Sequence, residues 1–230
     1  MARNGADEIA DVQALGNTTF PRLMLRHAQH RPDAPALREK DLGIWQPLTW
    51  RQLAAEVELV AAGLASRGVA RGEHVALIGE NRPRLYVAMT AVQALGGIPV
   101  PLYQDAAAQE MAYVFENAQI RFAVVEDQEQ VDKLLEVRER FPALGTIVYD
   151  DPRGLRKYAH PGLLGYEQLQ ELGRALQGDK PGFVAAEIEK GSPDDVASMF
   201  YTSGTTGNPK GVTHSYRNLI SMGTVASQME

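Results

Sequence analysis

Apolar residues along this chain occur in two alternating patterns. Short, nearly continuous apolar runs fall at residues 74–78, 98–102, 121–125, 146–149 and 196–201. They lack the polar alternation of a half-exposed strand, so they predict strands buried on both faces. Between them lie longer stretches with helical spacing. The clearest begins at Thr49, where Gln52 three positions later makes a capping box. Leu53, Val57, Val60 and Leu64 then recur as one apolar stripe, and Gly68 ends the pattern. Further helices are predicted at 82–95, closed by Gly96 and Gly97, and at 106–117, 129–140 and 166–177, with another starting at 216. Upstream, Thr18 or Thr19 would cap a helix running to about His30, with Leu23 and His27 on one face. Residues 36–48 read as a hairpin turning near 41–43.

Strand and helix alternating at this pitch indicate an α/β fold: a doubly wound, mostly parallel sheet flanked by helices. Residues 1–17 are polar and read as a disordered tail. Residues 18–150 form a first α/β subdomain. Residues 151–195, with their proline and glycine turns and a polar stretch at 178–195, break the rhythm and read as an excursion. Residues 196–230 begin a second subdomain. It is expected to hold one strand with an open apolar edge, a liability for solubility or association.

Composition narrows the functional classes. The 230 residues are 44% hydrophobic and 23% charged, as in ordinary globular domains. The net charge of −6 supplies no overall basic field for nucleic acid. No cysteine is present, which excludes disulfides, thiolate metal sites and a cysteine nucleophile. The amino-terminal residues lack the apolar segment of a signal peptide, and no run approaches the roughly 18 apolar residues of a spanning helix. A cytoplasmic protein is expected, with peripheral contact at the inner face of a membrane left open.

Chemistry concentrates at residues 201–212, Tyr-Thr-Ser-Gly-Thr-Thr-Gly-Asn-Pro-Lys-Gly-Val, directly after the last apolar run. Gly204, Gly207 and Gly211 let backbone N–H groups approach an anion closely. The hydroxyls of Thr202, Ser203, Thr205 and Thr206 can donate to phosphate oxygens or reach a bound magnesium ion. Lys210 adds a point charge, and Pro209 stiffens the exit. The alternative is a turn-rich loop or hairpin without a ligand. The stretch is not a Walker A sequence, because Gly211 follows Lys210 where that motif has Ser or Thr, and it carries no dinucleotide fingerprint.

Residues 201–212 resemble the phosphate-binding signature of the adenylate-forming enzymes (acyl-CoA synthetases, luciferases and adenylation domains) and match its pattern throughout. Thr49-Trp50 ahead of the long helix, residues 79–83 (Gly-Glu-Asn-Arg-Pro) and residues 96–103 (Gly-Gly-Ile-Pro-Val-Pro-Leu-Tyr) are similar to the family's amino-terminal region. The segment after Asp150 and the residues around Gln104-Asp105 most resemble bacterial long-chain fatty acid–CoA ligases. The resemblance implies an incomplete amino-terminal domain. It also implies two half-reactions: a fatty carboxylate attacks the α-phosphate of magnesium-bound ATP to give an acyl-adenylate and pyrophosphate, and coenzyme A then displaces AMP. In that scheme Tyr201, Thr202, Ser203, Gly204, Thr205, Thr206, Gly207, Pro209, Lys210 and Gly211 hold the nucleotide's phosphates. Thr202 is the metal- or phosphate-contacting hydroxyl, and Lys210 neutralises the leaving pyrophosphate. The family's metal-binding Glu, ribose-binding Asp and adenylation lysine lie downstream of the phosphate loop, so their place would be a missing carboxy-terminal portion. The chain alone is expected to be inactive. Alternatives are a short-chain or aryl-acid ligase, or a non-catalytic nucleotide-binding module that needs a partner chain. Relatives commonly place His two residues before the Asn that follows the loop; here Tyr216 precedes Asn218, and the nearest histidine is His214.

The remaining candidates read as structural. Asn81 is expected to cap the helix that follows it, Gly96-Gly97 to close that helix, and residues 126–140 to form a solvated charged face. Tyr103 could line a substrate pocket. The five histidines show no metal-ligand spacing, and Ser215 lacks a nucleophile-elbow context.

Overall fold

The computed structural model describes residues 17–202 and 208–227. The first helix, α1 (Phe20–His30), starts at Thr19, whose hydroxyl accepts from Arg22 N. Strands β1 (Pro35–Asp41) and β2 (Ile44–Thr49) then form an antiparallel hairpin. Its two turn residues, Leu42 and Gly43, have φ of +46° and +82°. Two positive φ values make the tight turn whose twist matches that of paired strands. Thr49 caps α2 (Trp50–Ser66) with the predicted capping box: Gln52 N donates to the Thr49 hydroxyl, and Gln52 Oε1 accepts from Thr49 N at 2.9 Å.

Strand β3 (His74–Ile78) leads to α3 (Pro83–Ala94), β4 (Ile98–Leu102), α4 (Ala108–Asn117), β5 (Phe122–Val125), α5 (Gln128–Arg140) and β6 (Thr146–Tyr149). The sheet order is β4-β3-β5-β6, continued by the short strand β7 (Leu163–Gly165), with every pairing parallel. Because successive side chains point to opposite faces, each strand feeds two cores. Val75, Leu77, Phe122, Val124 and Val148 pack with helices on one face, while Ala76, Ile78, Ala123, Val125 and Ile147 pack against α4 and α5 on the other. This is the doubly wound α/β arrangement expected from the apolar runs.

Residues 151–195, read as an excursion, are knitted to this sheet. Strand β7 (Leu163–Gly165) pairs with β6, and α6 (Tyr166–Asp179) lies on α2. The two helices cross backbone to backbone. A Cβ at Gly63 would strike the Leu169 carbonyl, and one at Gly173 the Leu59 carbonyl. The polar stretch at 178–195 contains α7 (Phe183–Glu189), which buries Val184 and Ile188, four residues apart, on the same core.

Two expectations about the loops after β3 and β5 need correction. Arg82, not Asn81, is the N-cap of α3. Pro83 occupies the first turn and holds the residue before it extended, with φ −104° and ψ 156° at Arg82. Asn81 Oδ1 instead accepts from the Tyr86 hydroxyl at 3.3 Å. Glu126 does not lie on a solvated helix face. Its carboxylate accepts from Glu80 N at 2.6 Å and from Arg82 Nε at 2.8 Å, joining the loops that leave β3 and β5.

The last elements are β8 (Val196–Thr202), β9 (Lys210–Ser215) and α8 (Tyr216–Ser227). β8 is not a lone strand: β9 pairs with it in antiparallel register. Among the described residues no helix is long and apolar enough to cross a membrane.

Candidate functional site

The residues flanking the glycine-rich turn form the two arms of a hairpin. Thr202 pairs with Lys210, Tyr201 with Gly211 and Phe200 with Val212. Ser203, Gly204, Thr205, Thr206 and Gly207 lie outside the described residues, so the turn itself contributes no geometry. What the structure brings together is the pair Thr202 and Lys210, both exposed, at the open end of the ladder. Lys210 makes no ion pair among the described residues, which leaves its ammonium available to an anion. Gly211 packs closely against its cross-strand neighbours. A Cβ there would collide with the Met199 methyl and lie 3.2 Å from the Tyr201 ring.

The hairpin is held by one arm. β4 is an edge strand, and Pro99 and Pro101 remove two donors from it, so a further strand cannot pair along its outer side. β8 docks there through side chains instead. The buried Ser198 hydroxyl donates to the Pro99 carbonyl at 3.0 Å, and buried Gln93 donates to the Ala197 carbonyl at 2.8 Å. The Tyr201 hydroxyl donates to Asn117 Oδ1 at the end of α4, at 2.5 Å, and burial pushes the Tyr201 phenol upward from its ordinary pKa. At its base, β8 is pinned by Arg71, which reaches Asp195 at 3.4 Å, and by the fork between Arg217 and Asp194 at 2.8 and 3.1 Å. Tyr216, at the position where relatives commonly place histidine, is buried edge-on against Phe20, with ring centroids 5.6 Å apart.

Two grooves of about 770 Å³ each meet at the top of β8. Both are lined by Tyr103, Tyr201 and Thr202; Asn208 and Pro209 join one, and Gly79, Asn81 and Phe200 the other. Tyr103 is 83% exposed and stands between them. The site therefore gathers Tyr201, Thr202 and Pro209 near the carboxyl ends of β3 and β4, with Lys210 and Gly211 next along β9. The described residues contain no group of three His, Asp or Glu side chains able to hold a metal.

Sequence reasoning missed Gln93, Ser198 and Asn117. Gln93 carried a signal, being a polar residue in the apolar helix 83–94; the other two are legible only once β8 lies beside β4.

The AMP-binding enzyme family matches residues 24–230. The chain belongs to that family. It is 29% identical over 213 residues to the long-chain-fatty-acid–CoA ligase ACSBG2 of Xenopus laevis, covering 92% of this chain and 28% of that protein. It is 26% identical over 198 residues to the long-chain-fatty-acid–CoA ligase FadD15 of Mycobacterium bovis, covering 86% of this chain and 31% of that protein. The chain thus spans less than a third of the length of either relative. Among solved structures, acetoacetyl-CoA synthetase from Streptomyces lividans superimposes with a TM-score of 0.72 at 26% identity, over 90% of this chain and 32% of that one. The anthranilate CoA ligase AuaEII, solved with anthranoyl-AMP, gives 0.71 at 24% identity over 87% of this chain and 35% of that one, a likeness of fold.

Proposed function

We propose that this chain supplies the phosphate-binding part of an AMP-forming long-chain fatty acid–CoA ligase. The observation that supports this reading is that Lys210, without an ionic partner among the described residues, pairs in register with Thr202, a residue lining both grooves. ATP, magnesium, a fatty acid and coenzyme A are the components this reading requires. Displacement at phosphorus asks the protein for position and charge rather than covalent chemistry. Lys210 would neutralise the departing pyrophosphate, and the Thr202 hydroxyl would orient a phosphate oxygen or a metal-bound one. Magnesium, when bound with the nucleotide, would spread the negative charge that develops on the leaving group. Tyr103 and the apolar lining residues Met111 and Val114 offer a wall for an alkyl chain.

Residues 208–215 form only one side of such a site, so the chain alone is expected to bind nucleotide weakly and not to turn over. Calorimetric titration with inorganic pyrophosphate and with magnesium-bound ATP tests this. Lys210→Ala should weaken pyrophosphate binding about tenfold, the value of one charge-assisted contact, without lowering the melting temperature. Unchanged affinity would remove Lys210 from the site. ATP–pyrophosphate exchange catalysed by the 230 residues would sink the expectation of inactivity. In a longer protein containing these residues, exchange driven by palmitate should exceed that driven by acetate or benzoate. The reverse order would favour a short-chain or aryl-acid ligase.

A further inference from the structure

The β1–β2 hairpin carries an apolar tip that the fold does not use. Leu42 is 94% exposed, Ile44 65% and Trp45 61%. Leu42 also occupies a left-handed position (φ +46°) that Asn, Asp or Gly adopts far more readily than a bulky side chain. A large apolar residue is therefore held at the extremity of the molecule against both its hydration and its backbone preference. Neither the core nor the nucleotide groove contacts it.

The flanking strands are polarised. Residues paired across an antiparallel ladder share a face, and faces alternate along it. Arg38 pairs with Pro47 and Lys40 with Trp45, so one face shows two cations, a proline and the indole, with no carboxylate. Lys40 Nζ lies 5.9 Å from the Trp45 ring centroid, and Arg38 makes no ion pair among the described residues. The carboxylates sit on the other face. Glu39 is turned to the body of the molecule, where it meets Arg82 at 3.0 Å, and Asp41 pairs with Ile44.

We propose that this hairpin is an anchor for an anionic lipid bilayer. Leu42, at the tip, would enter the acyl boundary, the Trp45 ring would lie at the level of the headgroups, and Arg38 and Lys40 would meet lipid phosphates. A projecting tip fits a deformable surface better than a protein partner, since a stable protein interface needs roughly 800 Å² of complementary surface per side. Indole and long cationic side chains match a boundary that is apolar below and charged above. The net charge of −6 opposes approach to anionic lipid, so attachment would rest on this locally cationic face. The hairpin's root reaches, through Glu39 and Arg82, the loop after β3 whose residues Gly79 and Asn81 line a groove of the candidate site. The inference stands independently of the acyl-CoA reading.

Co-sedimentation of the 230-residue chain with vesicles of phosphatidylcholine and phosphatidylglycerol in equal parts tests the proposal. Binding should be strong on these vesicles, weak on pure phosphatidylcholine, and reduced by salt. Each cation near an anionic surface is worth about fivefold in partitioning, so Arg38→Glu with Lys40→Glu should lower binding by at least about twenty-fold. Leu42→Asp should lower it about tenfold, and Trp45→Phe should largely retain it. The emission lost in Trp45→Phe should, in the parent protein, shift to the blue on vesicles and be quenched by brominated acyl chains. Every substituted residue is exposed, so circular dichroism melting should match the parent throughout. Absent binding, equal binding to neutral vesicles, binding that survives Leu42→Asp, or self-association abolished by Leu42→Asp without vesicle binding would each overturn the proposal.

Discussion

The five-stranded parallel sheet and the β8–β9 hairpin are both built from β-structure yet are held in place by different means. The sheet's central strands are buried on both faces, between two separate apolar cores. The hairpin has one arm tethered by three side-chain hydrogen bonds, while its other arm runs exposed from Lys210 to Thr213. Burial makes the first region stable and chemically silent. Exposure leaves the second with a cation, Lys210, that makes no ion pair among the described residues, and the arm that carries it depends on a few polar contacts. Stability and ligand chemistry are thus kept in different parts of the chain.

Substituting the same residue type in both regions tests this separation most severely. Phe115 is fully buried beneath the sheet, whereas Phe200 on β8 is 36% exposed. Phe115→Ala should cost about 3–5 kcal/mol, the usual range for emptying an aromatic core site. Phe200→Ala should cost less than about 1.5 kcal/mol, since much of its surface is already hydrated. Urea unfolding midpoints of the two variants measure the difference, and equal losses would erase the comparison. A smaller effect is expected from the tether. Ser198→Ala leaves the buried Pro99 carbonyl without its donor and should cost about 1–3 kcal/mol. Amide exchange should then accelerate along β8 while β3 and β5 remain protected; uniform acceleration would mean that the two regions unfold as one.

The smallest effect concerns pH and belongs to the sheet. Burial lowers the pKa of His74, at the start of β3, against an opposing pull from Glu73. A histidine whose folded pKa lies below its unfolded value contributes stability that is fully present above about pH 6.5. That contribution is lost as the pH falls toward the folded pKa, because the unfolded chain then binds the proton more readily. The drop in urea midpoint between pH 7.5 and 5.5 should therefore shrink in His74→Gln. An undiminished drop would assign the acid sensitivity elsewhere.

The same two regions differ in how far the sequence alone reveals them. Strands β3 to β6 and their helices are readable because continuous apolar runs and capping residues are local signals, and the structure places them within a residue or two of expectation. The Thr49–Gln52 capping box is a local rule realised in full. Contacts between distant segments are not readable in this way. β7 is three residues long and owes its place to pairing with β6, and β9 is polar and exposed and becomes a strand only because β8 lies beside it. Asn81 is a good capping residue by type, but the neighbouring proline shifts the helix start by one position. At the candidate site, residue types announce an affinity for phosphate. Which of them face one another depends on the register of the hairpin, which no short-range pattern encodes.

The tether of β8 also orders events in time. Ser198 meets Pro99 across 99 positions of chain, and Gln93 meets Ala197 across 104. Strands β3 to β6 follow one another in a chain emerging from the ribosome, so they can assemble as they appear. β8 must wait until about a hundred further residues have followed β4, then close a loop of that length onto an edge already formed. The face that would receive a nucleotide therefore comes into register after the parallel sheet. Acquisition of phosphate affinity would then follow the closing of the apolar cores, which do not need that contact to form.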